Sequence, residues 1–371
     1  MSSHPKHPIK ASTEPIEELR RFFESGTHGH KVAVVGDSNT APLYGRPIAD
    51  ALDELDLAAV LRLEFPAGES HKNRETKQQL EDQLLRGRLG REDVLIAVGG
   101  GVVSDLTGFV AATYLRGIDW VAVPTTVLAQ VDAAIGGKTG VNTPHGKNLI
   151  GAFHPPLAVF QHLPSLATLS PLELRNGLAE CVKHAVIADV GLFEELEALG
   201  RSGTLLPNQA LMARCAAVKV AVVDEDPREQ GRRRTLNFGH TVGHGVEYAS
   251  ALSHGHAVAI GMLVEGTIAV EMGFWAAQDL DRLRGLLQAF GLPTAPTCRL
   301  EDAMPYLLVD KKNSQQDIHC VMPSRIGATH PFDGRWTCAV SFDSLREAWK
   351  ARAPKPKQKP LSKRKPRAKT P

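Results

Sequence analysis

The stretch VLIAVGGGVVSDLTGF (94–109) passes from an unbroken apolar, β-branched run through three glycines into a segment of helical spacing. An apolar run without polar alternation suits a strand covered on both faces, as in a parallel sheet. The glycines behind it let the backbone approach a pyrophosphate, and the N–H groups opening the next helix supply donors for it. The spacing is not GxGxxG, and a tight turn without a ligand uses glycine for the same reason, so this stretch alone leaves the ligand open. KVAVVGD (31–37) and WVAVPTT (120–126) repeat the design, with helical spacing between them as in EDQLLRGRL (81–89). Strands alternating with helices predict an α/β, Rossmann-like parallel sheet whose ligands gather at the carboxyl ends of the strands.

Beyond about residue 165 the pattern changes to long helical segments: PLELRNGLAECVKHAVIA (171–188), NQALMARCAAVKVAVVDED (208–226), TLNFGHTVGHGVEYAS (235–250) and HAVAIGMLVEGTIAVEMGF (256–274). Strand-like runs are scarce there, IHCVMP near 318 excepted. At 371 residues the chain is about twice the usual domain length of about 100–200. The expected organisation is therefore a nucleotide-binding α/β domain over 1–160, opened by a polar leader, a mainly α-helical domain over 161–349, and a tail over 350–371.

The formal net charge of +2 conceals a division. The tail KARAPKPKQKPLSKRKPRAKTP holds ten Lys/Arg and no acid, so the body before it carries about −8. A segment so rich in Pro and Lys buries too little apolar surface to offset its ordering entropy and is expected to be disordered, either as a solvated appendage or as a contact for nucleic acid or another polyanion. No run of eighteen apolar residues and no signal-like N-terminus exist, which excludes a membrane span and a secretory leader. The five cysteines are far apart and form no CxxC pair, which argues against a disulfide framework or a cysteine zinc site and points to a reducing cytoplasm.

Two constellations carry chemistry. GHTVGH (239–244) and SHGHAV (253–258) place four histidines within seventeen residues. His240 and His244 are four apart on one helix face, a ligand spacing, with His254 and His256 just past a turn. A metal there needs an oxygen ligand. Glu180 is the candidate, because its carboxylate would be costly in the apolar segment GLAECVKHAVIA without a cation. Lys183 and His184 share its face, and a Glu180–Lys183 helical pair is the competing explanation. The second constellation is a set of cations in apolar or glycine-rich context: Arg116, Lys138, Lys147, Lys219 and Arg233. These suit a small substrate bearing phosphate and carboxylate.

Read in order, GDSN (36–39), PAGESHK (66–72), GGGVVSDLTGF (99–109), TYLRG (113–117), VPTTVLAQVDAAIGGKTGVN (123–142), GKNLIGAFHPP (146–156), AECVKH (179–184), LNFGHTVGH (236–244), HGHAVAIGM (254–262) and DKK (310–312) closely resemble the 3-dehydroquinate synthases, sugar-phosphate cyclases of the shikimate pathway. The leader and the basic tail lie outside the resemblance. It implies a dehydroquinate synthase-like fold with NAD across the strand ends, held by Asp37, Asn39, Glu69, Lys72, Gly100, Gly101, Asp105, Thr125 and Thr126. It implies one divalent metal, zinc or cobalt, on Glu180, His240 and His254. Substrate contacts would come from Arg116, Asp132, Lys138, Lys147, Asn148, Lys183, Lys219, Arg233, Asn237, His244 and Lys311.

The implied reaction converts 3-deoxy-D-arabino-heptulosonate 7-phosphate to 3-dehydroquinate by oxidation, phosphate elimination, re-reduction, ring opening and aldol closure, with NAD regenerated. The resemblance also implies a homodimer. Sister cyclases making 2-epi-5-epi-valiolone or 2-deoxy-scyllo-inosose act on substrates without the carboxylate, and Lys219, Arg233 and Asn237 favour the carboxylate-bearing one. A metal-dependent polyol dehydrogenase and, from the tail alone, a non-enzymatic polyanion binder are the remaining alternatives. Two residues depart from the family pattern: Ser104 stands for a glycine, where a serine can donate a hydrogen bond near the cofactor without blocking it and is tolerated, and His256 stands for the glutamate of HGEAV, where it sets an extra imidazole beside the proposed ligand and can alter the metal's surroundings.

Overall fold

The computed structural model describes residues 9–24, 31–307 and 317–353. The first half runs β1 (Ile9–Ser12), α1 (Pro15–Glu24), β2 (Lys31–Asp37), α2 (Arg46–Asp53), β3 (Ala59–Phe65), α3 (Arg74–Arg86), β4 (Val94–Gly99), α4 (Gly101–Thr113) and β5 (Asp119–Pro124). An antiparallel hairpin, β6 (Lys138–Thr143) and β7 (Gly146–Phe153), then precedes β8 (Val159–His162). Six strands form one parallel sheet in the order β1-β8-β5-β4-β2-β3. The three apolar runs read from the sequence are its central strands, and their residues are buried on both faces. From β2 the chain moves outward to β3, and from β4 to β5 on the other side. The topological switch point therefore lies between β2 and β4, the place in open α/β sheets where ligands are received at the strand ends.

The second half is α5 (Pro171–Ala188), α6 (Val190–Ser202), α7 (Gln209–Glu225), α8 (His240–Ser250), α9 (His254–Glu271), α10 (Ala277–Ala289) and α11 (Leu300–Leu307). After these come β9 (Asp317–Cys320), β10 (Pro323–Arg325), β11 (Ala328–Thr329), β12 (Cys338–Ser341) and α12 (Phe342–Arg352). Two short antiparallel pairs, β9 with β12 and β10 with β11, close this half. Helix α9 is buried along nearly its whole length because its apolar residues face every direction, and α5, α8, α10 and α12 pack around it.

Three local features lie beyond what the sequence reading described. The polar leader contains structure: β1 pairs in parallel with β8, and Leu19 and Phe23 of the amphipathic α1 are buried in the sheet's outer core. The hairpin over 138–153 was not read as strands, because its glycines and mixed polarity hide the two-residue period. Helix α12 continues to Arg352, past the expected boundary at 349, and Arg352 Nε donates to Thr267 Oγ1 at 2.7 Å. The tail beyond 353 and Lys311 lie outside the described residues.

Candidate active site

Helix α5 is started by Ser170, whose hydroxyl accepts from Glu173 N, with Pro171 in the first turn. Gly177 lets it approach the 127–133 segment: a Cβ there would lie 2.5 Å from Leu128 N. One turn further on stand Glu180, Lys183 and His184, all buried, beside Asp132. Helix α8 crosses α9 just as closely, since a Cβ on Gly261 would lie 1.9 Å from the carbonyl oxygen of Gly239. That crossing brings the His240 and His254 rings to 5.1 Å, with His244 at 5.5 Å from His240 on the exposed side.

Ligand atoms of Glu180, His240 and His254 lie within 4.8 Å of one another. Glu180 Oε1 is 3.4 Å from His240 Nε2 and 3.2 Å from His254 Nε2. The outer ring nitrogens are also engaged: His240 Nδ1 is 3.2 Å from the Phe238 carbonyl, and His254 Nδ1 is 3.1 Å from Glu247 Oε2. With Nδ1–H donated outward, both Nε2 lone pairs can face one ion, the usual arrangement of metal-bound histidines. Burial pushes His240 down to about 3, keeping it neutral. His254 is raised to about 10 despite burial by its hydrogen bonds to Glu180 and Glu247. A carboxylate and two imidazoles fit a borderline metal such as zinc or cobalt. His256 takes no part: its Nδ1 is 2.7 Å from Ser253 Oγ, at the start of α9.

Next to the triad is a buried charge network. Lys183 is ion-paired with Glu180 and lies 3.6 Å from Asp132. The helical pair with Lys183 is therefore present, and the same carboxylate also faces the two histidines. Lys219 on α7 reaches Asp132 Oδ1 at 2.9 Å and its carbonyl at 2.6 Å. Against its burial, the ammonium groups of Lys183 and Lys219 hold Asp132 well below its usual value. Burial, with Lys183 and Arg233 adding, pushes Lys219 down in spite of Asp132. Arg233 is 2% exposed, donates to the Pro227 and Gly136 carbonyls, has a buried Nε without a partner, and makes no ion pair among the described residues.

Several expected substrate residues are engaged within the chain. Lys138 is paired with Glu229, and Asn237 Nδ2 donates to the same carboxylate at 2.7 Å. Lys147 pairs with Glu247, and Asn148 sits exposed at the hairpin with φ 56°. Arg116 is exposed on a left-handed turn after α4, and no hydrogen bond or ion pair joins it to this cluster.

At the switch point, Asp37 Oδ1 is already used, accepting from Asn39 N, Thr40 N and Thr40 Oγ1, which leaves Oδ2 for a ligand. Gly100 precedes α4 and Gly101 opens it, so the first-turn N–H groups of α4 lie at the end of β4 beside the switch point. Lys72 and Asp105 are paired with each other, and Glu69 Oε1 accepts from Asn142 Nδ2 at 2.7 Å. Thr125 is buried with its N–H on Gly99, and Thr126 Oγ1 caps Ala129 N at 3.1 Å. Ser104 turns back to donate to Gly101 O at 3.1 Å, within its own helix. The sequence reading missed Asn176, Glu229, Glu247 and Glu265; each has a partner from a distant segment, which local context does not show.

The fold and site define a class: a parallel α/β sheet with a glycine turn at its switch point, joined to a helical half that carries a candidate divalent-metal centre and buried cations. Family models for the N-terminal and C-terminal parts of 3-dehydroquinate synthase match residues 62–176 and 177–313. The 3-dehydroquinate synthase of Geobacter metallireducens is 45% identical over 309 residues, covering 81% of this chain and 85% of that protein. Among solved structures, ValA, the 2-epi-5-epi-valiolone synthase of Streptomyces hygroscopicus with NAD+ and Zn2+ bound, is 28% identical with TM-score 0.83, covering 95% and 98% of the two chains. A 2-deoxy-scyllo-inosose synthase complexed with carbaglucose-6-phosphate, NAD+ and Co2+ shares the fold at 24% identity and TM-score 0.83, covering 93% and 96%. The chain belongs to the 3-dehydroquinate synthase family and is an enzyme of that family.

Proposed function

We propose that the chain is a cytoplasmic, homodimeric 3-dehydroquinate synthase, which closes 3-deoxy-D-arabino-heptulosonate 7-phosphate to 3-dehydroquinate with release of phosphate, using NAD and one zinc or cobalt ion. The observation that carries the reading is Arg233: a buried guanidinium without an ion pair among the described residues, whose charge is felt by Lys219, the lysine that shares Asp132 with Lys183 beside Glu180. A buried cation of this kind is costly unless an anion arrives to meet it, which favours a substrate bearing a carboxylate.

Glu180, His240 and His254 would hold the metal, and Asp37, Gly100 and Gly101 would receive the nucleotide at the switch point. NAD supplies hydride acceptance and return, and the metal supplies Lewis acidity toward a hydroxyl or ketone oxygen. Arg233 binds the carboxylate. Asn237 stands with Arg233 and Lys219 on the carboxylate side, and Lys138, which shares Glu229 with Asn237, offers a cation to the substrate's other anionic end. Lys219, with its lowered pKa, is suited to move a proton near the reacting carbons. Among the described residues no helix is long and apolar enough to cross a membrane, in keeping with a chain that works in solution.

The test is product analysis with NAD and zinc or cobalt. Phosphate release from the heptulosonate phosphate without NADH build-up is expected. Turnover of sedoheptulose 7-phosphate in its place would transfer the chain to the sister cyclases, and stoichiometric NADH would make it a simple dehydrogenase. Arg233→Ala should raise KM and lower kcat; an unchanged kcat/KM would remove Arg233 from the carboxylate site.

A further inference from the structure

The two histidines of the triad are each the first residue of a helix, His240 of α8 and His254 of α9. First-turn N–H groups have no partner inside their own helix and need an outside acceptor. Neither helix supplies its own. The residue before α8 is Gly239, and the residue before α9, Ser253, makes no cap bond to the backbone; its hydroxyl meets His256.

The acceptors come from the neighbouring ligand helices. Asn176 on α5, one turn before Glu180, accepts from Gly255 N at 2.5 Å. The contact is close, since a Cβ on Gly255 would lie 2.2 Å from the Asn176 carbonyl oxygen. Glu265 on α9 is fully buried and accepts from Gly239 N at 2.8 Å and Val242 N at 3.0 Å, with the Thr241 N–H also directed at it.

We propose that Asn176 and Glu265 are positioning residues for the metal: α5, which carries Glu180, holds the start of α9 through Asn176, and α9 holds the start of α8 through Glu265. The three ligands are thereby kept at coordinating separation before any ion arrives. This rests on the metal reading of the triad.

The experiment is cobalt and zinc titration of the metal-free full chain by competition with a chelating dye, with NAD binding and melting temperature measured on the same samples. Asn176→Ala should weaken metal affinity by roughly 10–100-fold, the range for residues that orient ligands. NAD affinity should hold within about twofold, because its crevice lies at the sheet. Asn176→Asp, which keeps the acceptor oxygen, should restore most of the loss. Glu265→Gln, with one acceptor left for its N–H groups, should fall between the wild type and Asn176→Ala. If Asn176→Ala does not fold, Asn176→Ser is judged by the same measure. Metal affinity unchanged in a folded variant, or metal and NAD affinity falling together without rescue by Asp, overturns the proposal. A wild type that binds neither metal overturns the metal reading itself.

Discussion

The residue with the sharpest consequence is His254. Its neighbour two positions on, His256, has the same chemistry, yet residues two apart on a helix point about 200° apart and cannot serve one ion. His254 lies against Glu180 and Glu247, while His256 bonds Ser253. His254→Ala should abolish stoichiometric cobalt binding and turnover. His256→Glu should keep both and raise stability by about 0.5–1 kcal/mol, since a serine followed three positions later by glutamate forms a capping box. Metal analysis and thermal unfolding of the two variants check this; the reverse order of metal loss would put His256 in the site. Asp226 carries a pH dependence. It accepts from the backbone N–H groups of Gln230, Gly231 and Arg233, which, against partial burial, hold its carboxyl below the usual value. A depressed carboxylate stabilises above its unfolded pKa of about 3.9, and that contribution is lost as pH falls through the lower folded value. Asp226→Ala should therefore lose less stability than the wild type between about pH 5 and 3, measured as urea midpoints; parallel losses would show that the three bonds carry no net stability.

At the scale of elements, the crossing of α8 and α9 sets the site. Gly261→Ala forces a methyl to within 1.9 Å of the Gly239 carbonyl oxygen, whereas a Cβ on Gly285 of α10 meets nothing within 4 Å. The same substitution should act in opposite directions. Gly261→Ala should destabilise by about 1–3 kcal/mol and weaken metal binding by parting His240 from His254. Gly285→Ala should gain up to about 1 kcal/mol from helix propensity. Thermal unfolding of both variants decides it, and equal shifts would show that the helices can separate freely. The helices themselves were legible in the sequence. Their angle and contact were not, because the glycines that permit the crossing look the same in sequence as glycines facing solvent.

On the scale of the whole molecule, α12 returns the chain to α9. Trp349 is buried and Arg352 bonds Thr267, so the last turn belongs to the packed body. A chain ended after Trp349 should be less stable than one ended after Ala353 by about 1 kcal/mol, the usual net worth of one such hydrogen bond. Denaturant melts of the two truncations test this; coincident curves would make the last turn dispensable. The sheet was equally readable at this scale, because β2, β4 and β5 are apolar runs whose burial on both faces needs no knowledge of their neighbours.

What the sequence by itself determined was local or additive: the strand–glycine–helix unit, the change to helices after about residue 165, the acidic body with its basic tail, and an ordered set of motifs that carried the family. Its candidate residues were chosen by type and context, and Glu180, His240 and His254 do converge. Only the tertiary structure decided who partners whom. It joined Lys72 to Asp105, gave Lys138 and Asn237 one carboxylate in Glu229, set Glu247 behind His254 and Asn176 under Gly255, and left Arg116 outside the cluster. The physical reason is range. Periodicity and capping act over a few residues, whereas Asn176 and Gly255 are 79 apart in sequence and meet because two helices pack with no Cβ between them.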